Sequence, residues 1–247
     1  VHEKRLNNWV VALIPLLVGI IITFLIMIQP DLGTAIIFAL LTGIIFLSSP
    51  VSKKIKANIM LLLIGMVIVG VLAIVMTGGS ILQSRQIERF NFTRPCDRLL
   101  DTGNQVCNGY ISINNGGLTG VGLGNSTQKY LYLPEPYTDF IFAVIIEELG
   151  LVVGIIIILA YIYLLYRILK IGRESYTNRG ALICYGVAVY IFLHIAINLM
   201  GLFGLMPMTG VPLPFMSYGG SFTLCLMVAL TLVQRVNIET KIRDKKK

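Results

Sequence analysis

The chain has 247 residues, a formal net charge of +8, and 56% hydrophobic residues against 13% charged ones. Soluble globular domains are about one quarter charged, so this composition, with a mean hydropathy of +0.82, excludes a soluble protein. It predicts an all-α, polytopic membrane protein whose basic excess reflects membrane topology, and we expect no nucleic-acid partner.

Six apolar segments are long enough to cross about 30 Å of hydrocarbon as helices. They are Trp9–Ile28, Leu32–Ser48, Ala57–Thr77, Phe140–Tyr166, Gly180–Met206 and Leu213–Gln234. Fifteen of the twenty Lys and Arg residues lie at one set of helix ends, which the positive-inside rule assigns to the cytoplasm. The sequence therefore predicts a single membrane domain, 1–247, with both termini cytoplasmic and a basic tail, 241–247, that contacts anionic membrane lipids.

The first two spans are joined by a tight turn, Gln29–Thr34. Pro30 ends the first helix, and the Asp31 carboxylate is placed to cap the free N–H groups of the next one. We therefore expect Asp31 to have a capping role rather than a catalytic one.

Residues 78–138 are predicted to form a large external loop that carries short helices. Arg85 and Arg89 lie four residues apart, hence on one face of a short amphipathic helix. They contact lipid headgroups, pair with Glu88, or contact substrate. Cys96 and Cys107 lie in the same loop, in a compartment that permits disulfides. They form either a disulfide or, in a reducing setting, two unpaired thiols.

The segment from Gly116 to Gly124 contains five glycines in nine residues. Such a segment can converge its backbone N–H groups on a phosphate. An equal interpretation is a re-entrant loop that packs closely on helices.

Asp139 follows this loop at the mouth of the fourth predicted span. An ionisable group at a membrane boundary is expensive to desolvate, so Asp139 is the leading functional candidate. At about 100° per residue, Glu147 and Glu148 cannot both share its helix face, and we expect them to pair with another helix. His194 and Asn198, one turn apart in the fifth span, are expected to hydrogen-bond across helices.

The segment 206–221 breaks helical structure at membrane depth. Lipid cannot satisfy an opened backbone, so this segment must line a cavity or be covered by protein. We expect it to face the same external region as Asp139. No His, Cys, Asp and Glu cluster has zinc-ligand spacing.

Three motifs, Gln29–Thr34, Gly116–Ala143 and Pro212–Ser221, resemble those of the SEDS family (FtsW, RodA, SpoVE) in order, spacing and membrane side. The resemblance implies the C-terminal part of a ten-helix fold. It also implies a peptidoglycan glycosyltransferase that polymerises lipid II at the outer face of the bacterial cytoplasmic membrane, beside a class B penicillin-binding protein. The Gly122–Lys129 motif resembles FtsW or SpoVE more than RodA, which favours cell division or sporulation.

The resemblance also implies that Asp139 is the catalytic carboxylate. Tyr137 stands where many members have His, and Leu131 stands where some have an acidic residue, so neither an imidazole nor a second carboxylate is available there. The family motifs add four substrate-binding candidates, Asn125, Gln128, Glu135 and Ser217.

Glycosyl transfer from a diphosphate needs a base on the acceptor hydroxyl and positive charge at the leaving group. Asp139 is the predicted base, and Arg85, Arg89 and Lys129 are the predicted cations. A Mg²⁺ or Mn²⁺ ion shared by Asp139 and the diphosphate is compatible with the sequence, because such ions bind through few carboxylates plus phosphates. The alternatives are a lipid-linked precursor flippase or transporter, which also uses broken helices and intramembrane carboxylates, and a scaffold for a partner synthase.

Overall fold

The computed structural model describes residues 9–29, 31–48, 52–76, 95–97 and 102–245. Within these ranges the chain is helical and contains no strand, as the sequence predicts. The helices are α1 (Trp9–Ile28), α2 (Leu32–Ser48), α3 (Lys53–Met76), α4 (Thr102–Gly116), α5 (Gln128–Leu131), α6 (Ile141–Leu149), α7 (Leu151–Glu174), α8 (Asn178–Leu202) and α9 (Gly220–Asp244), with a 3₁₀ turn at Pro95–Asp97. The segment predicted to carry Arg85 and Arg89 lies outside the described residues.

The chain forms two compact units, Val1–Asn91 and Phe92–Lys247, whose boundary lies within the predicted external loop. In the first unit α1 packs along α2. A Cβ at Gly19 would overlap the side chain of Thr42, so a small residue lets the two helices approach closely. Asp31 accepts a hydrogen bond from the Thr34 amide at 3.1 Å, which confirms its capping role.

In the second unit α7 and α8 pack against each other, α9 packs against both, and α4 packs against α6. Phe140, Phe142, Ile146, Ile191 and Leu213 are almost fully buried in one apolar cluster. This cluster joins the start of α6 to α8 and to the segment before α9. It therefore gives the turn that carries Asp139 a packed support.

Three helices in the described part of the chain, α7, α8 and α9, are long and apolar enough to cross a membrane. Ile14–Ile28 and Leu32–Ser48 are shorter apolar stretches. The third predicted span coincides with most of α3. The described helices thus follow the predicted order of apolar segments.

The predicted bounds of two spans are wrong. The fourth span, predicted as Phe140–Tyr166, is divided at Gly150, and its long helix runs over Leu151–Glu174. The last span, predicted as Leu213–Gln234, becomes the helix Gly220–Asp244, because the residues before it are held in a loop against the Asp139 turn.

Cys96 and Cys107 form a disulfide with their Cα atoms 4.9 Å apart. This distance lies within the range of about 4.4–6.8 Å that bridged pairs show. The bridge connects the 3₁₀ turn to α4, so the disulfide interpretation applies and the interpretation as two unpaired thiols does not.

Candidate active site

Asp139 lies in the turn that immediately precedes α6, and its side chain is half-buried. Burial raises the pKa of this carboxyl group, the negative charge of Glu135 raises it further, and a hydrogen bond from Thr138 opposes the shift. A carboxylate with a raised pKa is a stronger base than a fully hydrated one. The site thus has one partly desolvated acid–base group.

Asn198 of α8 holds the main chain at Asp139. Its Nδ2 donates to the Asp139 carbonyl at 3.0 Å and to the Val211 carbonyl at 2.8 Å. A single buried amide therefore ties the Asp139 turn to the loop after α8. The predicted hydrogen bond from Asn198 to another helix is wrong, because both of its acceptors lie in non-helical segments.

Two further hydrogen bonds join the same turn to the loop before α9. Ser217 Oγ donates to the Thr138 carbonyl at 2.6 Å, and the Tyr218 amide donates to the Tyr137 carbonyl at 2.9 Å. Ser217 Oγ also accepts from the Leu213 amide at 2.7 Å. The loop after α8 therefore contacts the Asp139 turn, as the sequence predicts, although Phe215, Met216 and Tyr218 remain exposed.

Gly210 borders the Asp139 carboxylate. A Cβ built at this glycine would lie 3.5 Å from Asp139 Oδ2, and its φ of 71° is a conformation that favours glycine. The backbone at Gly210 thus lies beside the Asp139 carboxylate, and its conformation rather than a lack of space favours glycine there.

The glycine-rich segment forms backbone hydrogen bonds with the two helix ends that meet at Gly150. Its amides at Val121 and Gly122 are therefore not free to bind a phosphate. The amides of Val121 and Gly122 donate to the carbonyls of Glu147 and Glu148, at 2.9 and 3.0 Å. These carbonyls belong to the last turn of α6 and would otherwise lack partners.

The same segment satisfies the first turn of α7. The Leu151 amide donates to the Gly117 carbonyl at 3.0 Å. A Cβ at Gly120 would overlap the Glu148 carbonyl, and one at Gly150 would overlap the Leu118 carbonyl. Glycine is required because two backbones meet here without side chains between them. Of the two interpretations of this segment, the re-entrant loop packed on helices is the one observed.

The carboxylate of Glu147 is the main polar anchor of this region. It accepts from Ser112 Oγ at 2.8 Å, from Asn115 Nδ2 at 3.4 Å and from Ser126 Oγ. The amide and hydroxyl of Thr127 donate to it at 3.3 and 3.2 Å. Glu147 thus pairs with another helix, α4, as predicted, and also with the segment that enters α5.

Lys129 is paired with Glu148 at 3.5 Å, and only 17% of its side chain is exposed. Its ammonium lies 5.5 Å from the centroid of the Tyr137 ring, two residues before Asp139. The structure therefore brings Lys129 to the turn that carries Asp139, but with Glu148 already in place as its counter-ion. The sequence analysis did not anticipate this partner.

The other predicted substrate-binding residues differ in exposure. Asn125 is exposed and donates to the Val121 carbonyl, and Glu135 is exposed and accepts from Thr138. Gln128 and Ser217 are buried. Substrate contact by any of these residues, and by Arg85 and Arg89 outside the described ranges, stays a prediction.

Asn198 and Gln128 each have a side-chain oxygen that is buried and without a hydrogen-bond partner among the described residues. Buried polar atoms are normally paired, so these two acceptors mark places where a bound donor group would be stabilised. Asn198 was not among the predicted site residues. The available signal was a lone amide within an apolar span.

His194 does not behave as predicted. Its Nδ1 lies 2.9 Å from the Tyr190 carbonyl of its own helix. Its contact with another helix is a ring stack on Phe222 of α9, with centroids 4.9 Å apart. Hydrophobic packing therefore replaces the expected hydrogen bond between helices.

Among the described residues, no three His, Cys, Asp or Glu side chains are close enough to hold a metal ion. Asp139 and Glu135 are close enough for the charge of Glu135 to raise the pKa of Asp139. A divalent ion there would take its remaining ligands from substrate phosphate oxygens and water.

Comparison with known proteins matches residues 1–242 to the cell cycle protein family that comprises FtsW, RodA and SpoVE. The chain is 37% identical over 235 residues to a probable peptidoglycan glycosyltransferase FtsW from Bacillus subtilis, covering 94% of this chain and 58% of that protein. A Lactococcus lactis relative of the same name is 35% identical over 88% of this chain and 53% of its own length.

A Wigglesworthia glossinidia brevipalpis relative of that name is 32% identical over 97% of this chain and 62% of its own length. The chain thus spans between about half and two thirds of the length of these relatives. Its fold also matches a solved peptidoglycan synthase complex, in which polymerization and crosslinking are structurally coordinated, with a TM-score of 0.69, 24% identity, and coverage of 96% of this chain and 66% of the other. From these matches we conclude that the chain belongs to the FtsW/RodA/SpoVE family and represents its C-terminal part.

Proposed function

We propose that the whole protein is a peptidoglycan glycosyltransferase that polymerises lipid II at the outer face of the bacterial cytoplasmic membrane. The relatives' names support the reaction class. The observation that carries the proposal is the half-buried Asp139, whose pKa burial raises and whose turn is held by Asn198 and Ser217.

In the proposed reaction the acceptor's C4 hydroxyl oxygen attacks the anomeric carbon of the donor sugar. The new glycosidic bond forms as the bond from that carbon to the undecaprenyl diphosphate breaks, and the diphosphate leaves with the electron pair. Asp139 takes the hydroxyl proton as general base. The backbone bonds from Asn198 and Ser217 hold that base in one orientation, which lowers the entropy cost of reaching the transition state.

The leaving diphosphate needs positive charge. Lys129 contributes less than a free cation would, because Glu148 neutralises part of its charge. The proposal therefore assigns the larger share to Arg85 and Arg89. A Mg²⁺ or Mn²⁺ ion would also supply such charge, and loss of polymerisation in EDTA, restored by either ion, would support its presence.

The partner and the cellular role are also part of the proposal. A class B penicillin-binding protein is the expected partner, since the structural neighbour is a peptidoglycan synthase complex. The relatives named FtsW favour a role in cell division.

The test is polymerisation of lipid II by the full-length protein with its partner synthase in detergent. Asp139→Asn removes the base with little change in size, and the rate should fall by about 10²–10⁴-fold. Asp244→Asn, at the exposed end of α9, is the matched control and should polymerise at the parent rate.

Normal strand synthesis by Asp139→Asn would overturn the assignment. If the parent made no strands in detergent but moved lipid II between the leaflets of vesicles, the flippase alternative would replace the proposed function.

A further inference from the structure

A second site lies at the far end of the membrane helices from Asp139. A partly open cavity of 430 Å³ lies between the turn that joins α7 to α8 and the last three turns of α9. Its polar lining includes Ser175, Thr177, Arg235, Thr240 and Arg243. None of these residues takes part in the catalytic turn.

The position of the cavity relative to the membrane follows from α7. This helix has 24 residues, which at 1.5 Å per residue span about 36 Å. Its first residue donates a hydrogen bond to the Gly117 carbonyl of the glycine-rich segment, and its last residue precedes the cavity. The cavity therefore lies at the opposite membrane boundary, at the depth of lipid headgroups, which the positive-inside rule assigns to the cytoplasm.

The cavity's charge favours an anion. Two guanidinium groups line it, against the single carboxylate of Glu239. The Arg235 Nε donates to Glu239 at 2.8 Å, and that ion pair engages only one edge of the guanidinium. The positive end of the α8 dipole adds to the field, because α8 begins directly after its capping residue, Thr177.

The side chains are also arranged for a headgroup. The Arg243 guanidinium lies 4.3 Å over the Tyr176 ring, a stacking that holds its planar group in place. The Thr240 hydroxyl accepts from the Tyr176 amide at 3.3 Å, which joins α9 to the turn before α8. A guanidinium suits a phosphate because it donates two parallel hydrogen bonds, and the volume is typical of small-ligand sites.

We propose that this cavity binds the phosphate group of an anionic phospholipid from the adjacent leaflet. The bound headgroup bridges the α7–α8 turn to the end of α9 and so stabilises the basic side of the protein. A free phosphate ion offers the same chemistry, and an acidic protein segment offers a similar charge; the location at headgroup depth favours the lipid.

The full-length protein in neutral detergent provides the test, with short-chain phosphatidylglycerol, short-chain phosphatidylcholine, inorganic phosphate and a poly-glutamate peptide as probes. The melting temperature and the lipid retained in native mass spectrometry are measured. Phosphatidylglycerol should raise the melting temperature in a concentration-dependent way, and the other three probes should not.

Variants test the assignment to this cavity. Arg235→Ala and Arg243→Ala should each weaken phosphatidylglycerol binding about tenfold or more, and Arg243→Lys should weaken it although the charge remains. Glu239→Gln should strengthen binding, because it removes the only carboxylate that lines the cavity. Lys170→Ala is the matched control. Lys170 lies at the end of α7 that is next to the cavity, but it is not one of the residues that line the cavity.

Three results would overturn the proposal. Equal stabilisation by phosphatidylcholine would exclude phosphate charge as the determinant. Inorganic phosphate or poly-glutamate binding as tightly as phosphatidylglycerol would exclude the lipid as the ligand. If folded Arg235→Ala and Arg243→Ala proteins bound phosphatidylglycerol as tightly as the parent, the cavity would be excluded as the binding site. The same conclusion would follow if Lys170→Ala weakened binding as much as they do.

Discussion

Replacing Asn198 tests whether the catalytic turn depends on a single buried amide. Asn198→Leu keeps the approximate volume but removes both hydrogen bonds, to the Asp139 and Val211 carbonyls. Each intramolecular hydrogen bond contributes about 0.5–1.5 kcal/mol net, so the two together contribute about 1–3 kcal/mol. If the transition state loses this stabilisation, the activation free energy rises by the same amount. At 1.4 kcal/mol per factor of ten, kcat should then fall by about 5- to 150-fold.

The KM for lipid II should change little, because both bonds are made to the protein's own backbone. Polymerisation is measured as initial rate against lipid II concentration, with the melting temperature as a check on folding. Asn198→Asp keeps the shape of the side chain but puts a carboxylate oxygen in place of the amide nitrogen that donates to both carbonyls. This variant should also lower kcat.

The matched control is Thr231→Val, which removes a hydroxyl that bonds only to Met227 of its own helix, at 2.8 Å. This variant should retain the parent kcat. A folded Asn198→Leu protein with the parent kcat, or with a loss confined to KM, would refute the positioning argument.

Glu135→Gln should move the acid limb of the pH–rate profile to lower pH. The charge of Glu135 raises the pKa of Asp139, so removing that charge should lower this pKa. Because the base acts only when ionised, the activity should then persist to lower pH. Glu147→Ala should lower the free energy of unfolding by about 3 kcal/mol or more, measured by denaturation in detergent, because several buried donors lose their acceptor. Cys96→Ser with Cys107→Ser should destabilise the second unit by about 3 kcal/mol, the loop-closure value for a bridge of this span, and reduction of the parent should reproduce the effect.

Controls separate these effects from a general loss of charge or structure. Glu174→Gln removes an exposed carboxylate whose partner, Lys170, is 3.9 Å away, and should change neither the pH profile nor stability by more than about 0.5 kcal/mol. An unchanged acid limb in Glu135→Gln would contradict the electrostatic argument. A Glu147→Ala protein as stable as the parent would show that its donors find other partners.

The sequence alone determined the features that depend on neighbouring residues. A run of apolar side chains is stable in lipid only as a helix that satisfies its own backbone, so α1 and α2 have the predicted bounds. Asp31 caps α2 because its carboxylate and the Thr34 amide are three residues apart. The candidate base was also recognisable, since Asp139 lies in a motif that resembles the family's and immediately precedes an apolar helix.

Only the tertiary structure decided what holds that base. Asn198 and Asp139 are 59 positions apart, and Ser217 and Thr138 are 79 apart, so no local pattern relates them. The break at Gly150 was hidden because a long, mostly apolar stretch, interrupted only by Glu147 and Glu148, continues across it. It is stable only because a distant glycine segment supplies the hydrogen bonds that lipid cannot. Local chemistry thus determined which segments become helices, and long-range hydrogen bonding determined where the helices stop and how the carboxylate is oriented.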